Sequence, residues 1–187
     1  MLYDEVRTEK ELMLFLDENI KYGFINQNNE VLLDSSEDNF QKICMEQWRL
    51  RDIFEIIKSG VGHCYDQVEI ERDWFSKHNF EFKTIWISAY QKDIENSGFS
   101  HSYLIYFSNK NWNLFEHSDF TNKGIFSFKT FEEAVKFQTM KQIQYAENQV
   151  KPKVKYDTFI TEFDKPKIGL TMYQYHKFVL KSKAIKI

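Results

Sequence analysis

The chain has 187 residues, a length that one hydrophobic core can serve, so a single domain spanning 1–187 is expected. The formal charge is −3 with acidic and basic residues interspersed, which leaves no broad basic face for nucleic acid. Aromatic residues make up 17 %, so a packed globule is expected despite a mean hydropathy of −0.56. The opening Met1-Leu2-Tyr3-Asp4-Glu5 lacks the basic-then-apolar pattern of a secretory leader, and no apolar run reaches bilayer length. A soluble, cytoplasmic chain without membrane contact is therefore expected, its lysine-rich end from Lys177 to Ile187 being solvated.

Thr8-Glu9-Lys10-Glu11 is a capping box, and Leu12, Leu16 and Ile20 follow at helical spacing, which predicts a helix over 8–19. Gly23 and Asn26–Asn29 read as turn. Asp34-Ser35-Ser36 offers a second helix start. The apolar positions from Phe40 to Ile57 then predict one long helix or two broken near Arg49, ending at Ser59-Gly60-Val61-Gly62, where both glycines are expected to use backbone angles closed to other residues. Cys64 opens the next helix, which runs to about Asn79 with Val68, Trp74 and Phe75 on its apolar side. A strand is predicted over 82–88, followed by a polar loop from Gln91 to Ser100. His101–Phe107 and Trp112–His117 flank Ser108–Asn111 as the arms of a hairpin. Gly124–Phe128 adds a short strand, Thr130–Glu133 caps a helix to about Glu147, Tyr156–Phe163 reads as a strand, and Thr171–Leu180 as a terminal helix.

Cys44 and Cys64 are the only cysteines, which argues against a structural disulfide and excludes a cysteine-built zinc site; no metal or other cofactor is expected. Cys44 lies in an apolar helical stripe and reads as a small buried group. Cys64 sits where a glycine-rich turn meets a helix N-terminus, whose free N–H groups and partial positive charge favour a thiolate. Gly60 and Gly62 are expected to leave room for a substrate carbonyl, with the Cys64 N–H as one oxyanion donor and Gln47 or Trp48 as candidates for the second. Asp66, in the first helical turn, is expected to bond back to the glycine loop.

The hairpin selects among five histidines. With Phe107 opposite Trp112, Tyr103 pairs with Glu116 and His101 with Ser118, so Glu116 is a diagonal neighbour of His101 on one face. A carboxylate there can hold one ring nitrogen of His101 while the other faces a thiol. His117 and Asp119 fall on the opposite face by parity. His63, His78 and His176 are expected at the surface.

Together Gly60-Val-Gly-His-Cys64-Tyr-Asp66, His101-Ser-Tyr-Leu-Ile-Tyr106 and Trp112-Asn-Leu-Phe-Glu116 resemble the transglutaminase-like superfamily over about Ile53 to Phe137. In that family a G-x-C-x-D helix start is followed by a strand-opening His and a strand reading W-x-x-x-D. The resemblance implies a papain/transglutaminase-like α+β fold, with the cysteine-bearing helix packed on an antiparallel β-sheet. It also implies Cys64 as nucleophile, His101 as base and Glu116 as the orienting acid, with Glu standing where the family usually has Asp. The reaction implied is amide hydrolysis or acyl transfer through a thioester, on a peptide or protein amide substrate. No EF-hand-like run suggests calcium-dependent crosslinking, and nothing downstream suggests a coenzyme A phosphate site. A non-catalytic interaction module that retains the fold is the alternative.

Overall fold

The computed structural model describes residues 2–34, 39–91, 98–119, 121–149 and 155–187. Helix α1 (Glu9–Asn19) starts at the expected capping box: Glu11 N donates to Thr8 Oγ1 at 3.2 Å, and Thr8 N donates to Glu11 Oε2 at 3.0 Å. The chain then enters β1 (Lys21–Ile25), so Gly23 lies in a strand and not in a turn. A Cβ at Gly23 would lie 2.3 Å from the Leu32 carbonyl oxygen, so this glycine serves the close approach of β2 (Val31–Leu33). The asparagine run does turn the chain, with Asn28 N and Glu30 N both donating to Asn26 Oδ1 at 2.9 Å.

The helical periodicity beyond Asn39 resolves into α2 (Phe40–Gln47) and α3 (Ile53–Ser59). Trp48 is extended and Asp52 caps the new helix by accepting from Phe54 N at 2.9 Å, which places the break at the expected site. Of the predicted start, Ser35 and Ser36 lie outside the described residues, and α2 begins at Phe40. Gly60 ends α3 with φ +67°, a conformation that costs other residues about 1 kcal/mol or more. Gly62 does not share it. It belongs to β3 (Val61–Gly62), which pairs in parallel with Lys21 and Tyr22 of β1.

Next come α4 (Cys64–Lys77), β4 (Glu81–Tyr90), β5 (Phe99–Ser108), β6 (Asn111–Glu116), β7 (Gly124–Phe128), α5 (Phe131–Gln149), β8 (Asp157–Glu162), α6 (Met172–Leu180) and β9 (Lys183–Ala184). Among the described residues these strands form an antiparallel sheet in the order β7-β6-β5-β4-β8-β9. The hairpin turns on Asn109 and Lys110, both at positive φ, and Phe107 pairs with Trp112. Of the predicted polar loop, Phe99 and Ser100 already belong to β5, and 92–97 lie outside the described residues.

Alternation along β4, β5 and β6 feeds two cores. Trp86, Leu104, Tyr106 and Phe115 point to one face, where they pack with Val68 and Phe75 of α4 and with Leu12, Trp48, Ile56 and Tyr175. Ile85, Ile87, Tyr103, Ile105 and Leu114 point to the other, beneath Ala134 and Val135 of α5. Burying each such large side chain stabilises by about 1.5–3 kcal/mol, so both helices are held by the sheet. The result is an α+β fold with α4 and α5 on opposite faces of an antiparallel sheet. Among the described residues no helix is long and apolar enough to cross a membrane.

Candidate active site

The turn before Cys64 is fixed by a buried acid and a guanidinium. Asp66 Oδ2 accepts from His63 N at 3.0 Å and from Trp48 Nε1 at 2.9 Å, so Asp66 bonds back to the turn as expected. Arg51 lies 3.9 Å from the same carboxylate oxygen and donates to Ser59 Oγ at 2.9 Å and to the Val61 carbonyl at 2.5 Å. Burial raises the Asp66 pKa, against the opposing pull of Arg51, Trp48 and the His63 N–H. Trp48 thus commits its one N–H to Asp66 and is not the second oxyanion donor, while Gln47 lines a cavity with Asn26 and Arg49 that does not include Cys64. Gly62 does not leave room for a substrate either: a Cβ there would lie 3.2 Å from Ile56 Cγ2 and 3.3 Å from Asp66 Cβ, so the space is taken by the protein's own chain.

Cys64, His101 and Glu116 are brought together. The β5–β6 ladder runs without a bulge from Ser108↔Asn111 to Leu104↔Phe115, and the His101 ring stacks at 16° on Tyr103. This puts His101 on the stretch of β5 beyond the end of that ladder. His101 Nε2 and Glu116 Oε2 are 2.7 Å apart, and the Cys64 thiol is near enough to the His101 ring for each to favour the other's charged form. Glu116 is fixed in turn, accepting from Gln138 Nε2 at 3.0 Å and from Asp119 N at 2.9 Å. His117 points the other way, to Gln67 Oε1 at 2.5 Å and Asp17 Oδ1 at 3.0 Å.

His63 is the largest departure from expectation. It is 5 % exposed, and its Nδ1 lies 3.3 Å from Cys64 Sγ, because the extended backbone at the α4 cap turns the ring inward. Tyr22 of β1 packs on the His63 ring at 5.1 Å, in electrostatic reach of the thiol. His176 is half-buried with Nε2 3.1 Å from Tyr65 Oη, and His78 stacks on Trp74 at 4.0 Å, so neither is a free surface histidine.

Burial works to raise the Cys64 pKa, but His63 and then His101 pull it down to about 6, which makes the thiolate the main form at pH 7. Burial works to lower His101, yet Glu116 and the thiol carry it well above the ordinary imidazole value. Tyr22 is raised by burial and by Cys64 and stays a phenol. Beneath the site Glu71, 2 % exposed, has its pKa pushed well up by burial and by Glu116, which favours its neutral form.

Sequence reasoning missed Tyr22, His63 and Glu71. His63 carried a signal, adjacency to Cys64. Tyr22 carried none without β1, and Glu71 looks like any helical glutamate. Among the described residues no group of three or more His, Cys, Asp or Glu is placed to hold a metal ion. Comparison of the sequence with protein-family models and with curated proteins finds no match.

Proposed function

We propose that the protein is a cysteine-dependent amide hydrolase or acyltransferase of the papain/transglutaminase-like kind, acting on a peptide or protein amide. The observation that carries this reading is the His101 ring held by Glu116, with Nε2 2.7 Å from Oε2, in electrostatic reach of the Cys64 thiol. In the reaction the Cys64 thiolate attacks the carbonyl carbon, forming a C–S bond. The Cys64 N–H, at the first residue of α4 with no intrahelical acceptor, stabilises the oxyanion. The C–N bond breaks as His101 protonates the departing amine, leaving a thioester. Water or a second amine then attacks, returning a proton to His101 and releasing the thiolate. Glu116 orients the His101 ring throughout and favours its charged form before and after the proton is lent to the amine.

The test is mass spectrometry after exposure to a small activated ester such as p-nitrophenyl acetate. A single acyl adduct on Cys64, absent from Cys64→Ala, supports the reading; no adduct at any pH between 6 and 9 sinks it. One observation favours the alternative of a binding module: the thiol-bearing residue is only 1 % exposed. Substrate entry therefore requires the rings around the sulfur to move.

A further inference from the structure

The His63 ring is enclosed by aromatic side chains. Its centroid is 4.9 Å from Tyr65, 5.1 Å from Tyr22, 6.3 Å from Trp48 and 6.4 Å from Phe40. Tyr65 and Tyr22 lie within the roughly 6 Å over which a ring can interact with a cation. The titratable and charged groups around it come from five elements and the α2–α3 link. Cys44 of α2 lies in electrostatic reach of the ring, and Tyr22 approaches from β1. Tyr65 and Asp66 belong to α4, Asp66 taking only the His63 backbone N–H and standing 3.9 Å from Arg51. His176 of α6 is lowered by burial and by the charge of His63, and His101 of β5 stands on the thiol that His63 also touches. Among the described residues no carboxylate hydrogen-bonds the His63 ring, so the Cys64 sulfur is its anionic partner.

Charge balance then constrains the site. A thiolate, a Glu116 carboxylate and a single imidazolium on His101 leave one net negative charge among residues that are each at most 7 % exposed. An uncompensated charge at that depth is costly. A second imidazolium makes the cluster neutral, and His63, with Nδ1 3.3 Å from the sulfur, is placed to be it.

We propose that His63 is a second imidazole for the thiolate: it takes the Cys64 S–H proton onto Nδ1 and keeps it, so that the proton on His101 is reserved for the leaving amine. This rests on Cys64 being the nucleophile. The S–H bond breaks as the N–H bond forms, and nothing is oxidised or reduced. When the thioester forms, the C–N bond breaks and the amine takes its proton from His101; deacylation returns a proton from water to His101. His63 meets the regenerated thiolate still charged.

The test is the pH dependence of Cys64 alkylation by iodoacetamide, read by mass spectrometry on the full chain. Wild type should reach half its plateau rate near pH 6, where the two imidazoles hold the Cys64 thiol pKa. His63→Gln should move that midpoint up by a unit or more, slowing alkylation at pH 6 roughly tenfold while leaving the plateau near pH 10 unchanged. An unchanged midpoint overturns the proposal. A second measurement needs no substitution at His63: ring-nitrogen NMR of histidine-labelled wild type should find His63 doubly protonated at pH 7 and losing a proton once Cys64 is carbamidomethylated. A His63 ring that is neutral before modification also overturns it. Wild-type protein that never forms the Cys64 acyl adduct would instead sink the proposed enzyme function, whereas an active protein whose midpoint ignores His63→Gln sinks only the role of His63.

Discussion

Cys44 lies inside α2, its carbonyl capping the helix end through Trp48 N at 3.0 Å, while Cys64 is the first residue of α4; both are 1 % exposed. Equal depth therefore does not give equal chemistry. Cys44 is enclosed by the main core with His63 at its margin. Cys64 has two imidazoles, a phenol and a helix N-terminus on one sulfur. What distinguishes the two thiols is the set of groups around each sulfur, not access to water.

The contrast can be tested by stripping partners from Cys64. His101→Gln should lower turnover of an amide or ester substrate by about 10²–10⁴, the usual contribution of general acid–base catalysis, with Cys64 still alkylated at neutral pH; stopped-flow and labelling rates separate the two effects. Loss of labelling together with turnover would mean that His101 alone makes the thiolate. Arg51→Met should destabilise the fold by about 3 kcal/mol in urea titration, since it leaves Asp66 without its nearby cation and the Val61 carbonyl with only the longer 3.4 Å contact from Ser59 Oγ. It should also blunt the preference of iodoacetamide for Cys64 over Cys44, because the turn that presents Cys64 loosens.

Glu71 offers a smaller and pH-dependent test. Its folded pKa is raised, so its protonated form contributes stability that is fully present below the ordinary glutamate value and is lost as pH rises through the raised one. Glu71→Gln should remove that decline, gaining about 1.4 kcal/mol over wild type for each pH unit between the ordinary glutamate value and the raised folded one and no more beyond it, as thermal melts from pH 4 upward would read. Identical pH profiles would mean that Glu71 is solvated in solution. Smallest of all, Cys44→Ala should cost about 1 kcal/mol in the same melts and leave the Cys64 adduct in place. Loss of that adduct would erase the distinction between the two thiols.

Much of this arrangement was legible because it is local. The Thr8–Glu11 and Thr130–Glu133 capping boxes fix helix starts from four residues each, and the two-residue hairpin turn fixes the register that puts Glu116 beside His101. The hidden parts depend on contacts distant in sequence. Gly23 reads as a turn until Leu32 is known to pass beside it. Strand β3 has two residues, too few for any periodicity, yet its pairing with β1 accompanies the packing of Tyr22 on His63. His63 was assigned to the surface because a histidine at a helix cap is usually solvated, and only four rings drawn from β1, α2, α4 and the α2–α3 link reverse that.

A sulfur sheltered behind those rings discriminates among reagents by girth. A slender electrophile needs only side-chain rotation to arrive, whereas a bulky maleimide must wait for the wall formed by Tyr22, His63 and Tyr65 to part. The ratio of the two capture rates is therefore a gauge of how often the wall breathes, and it can be read before any natural substrate is in hand.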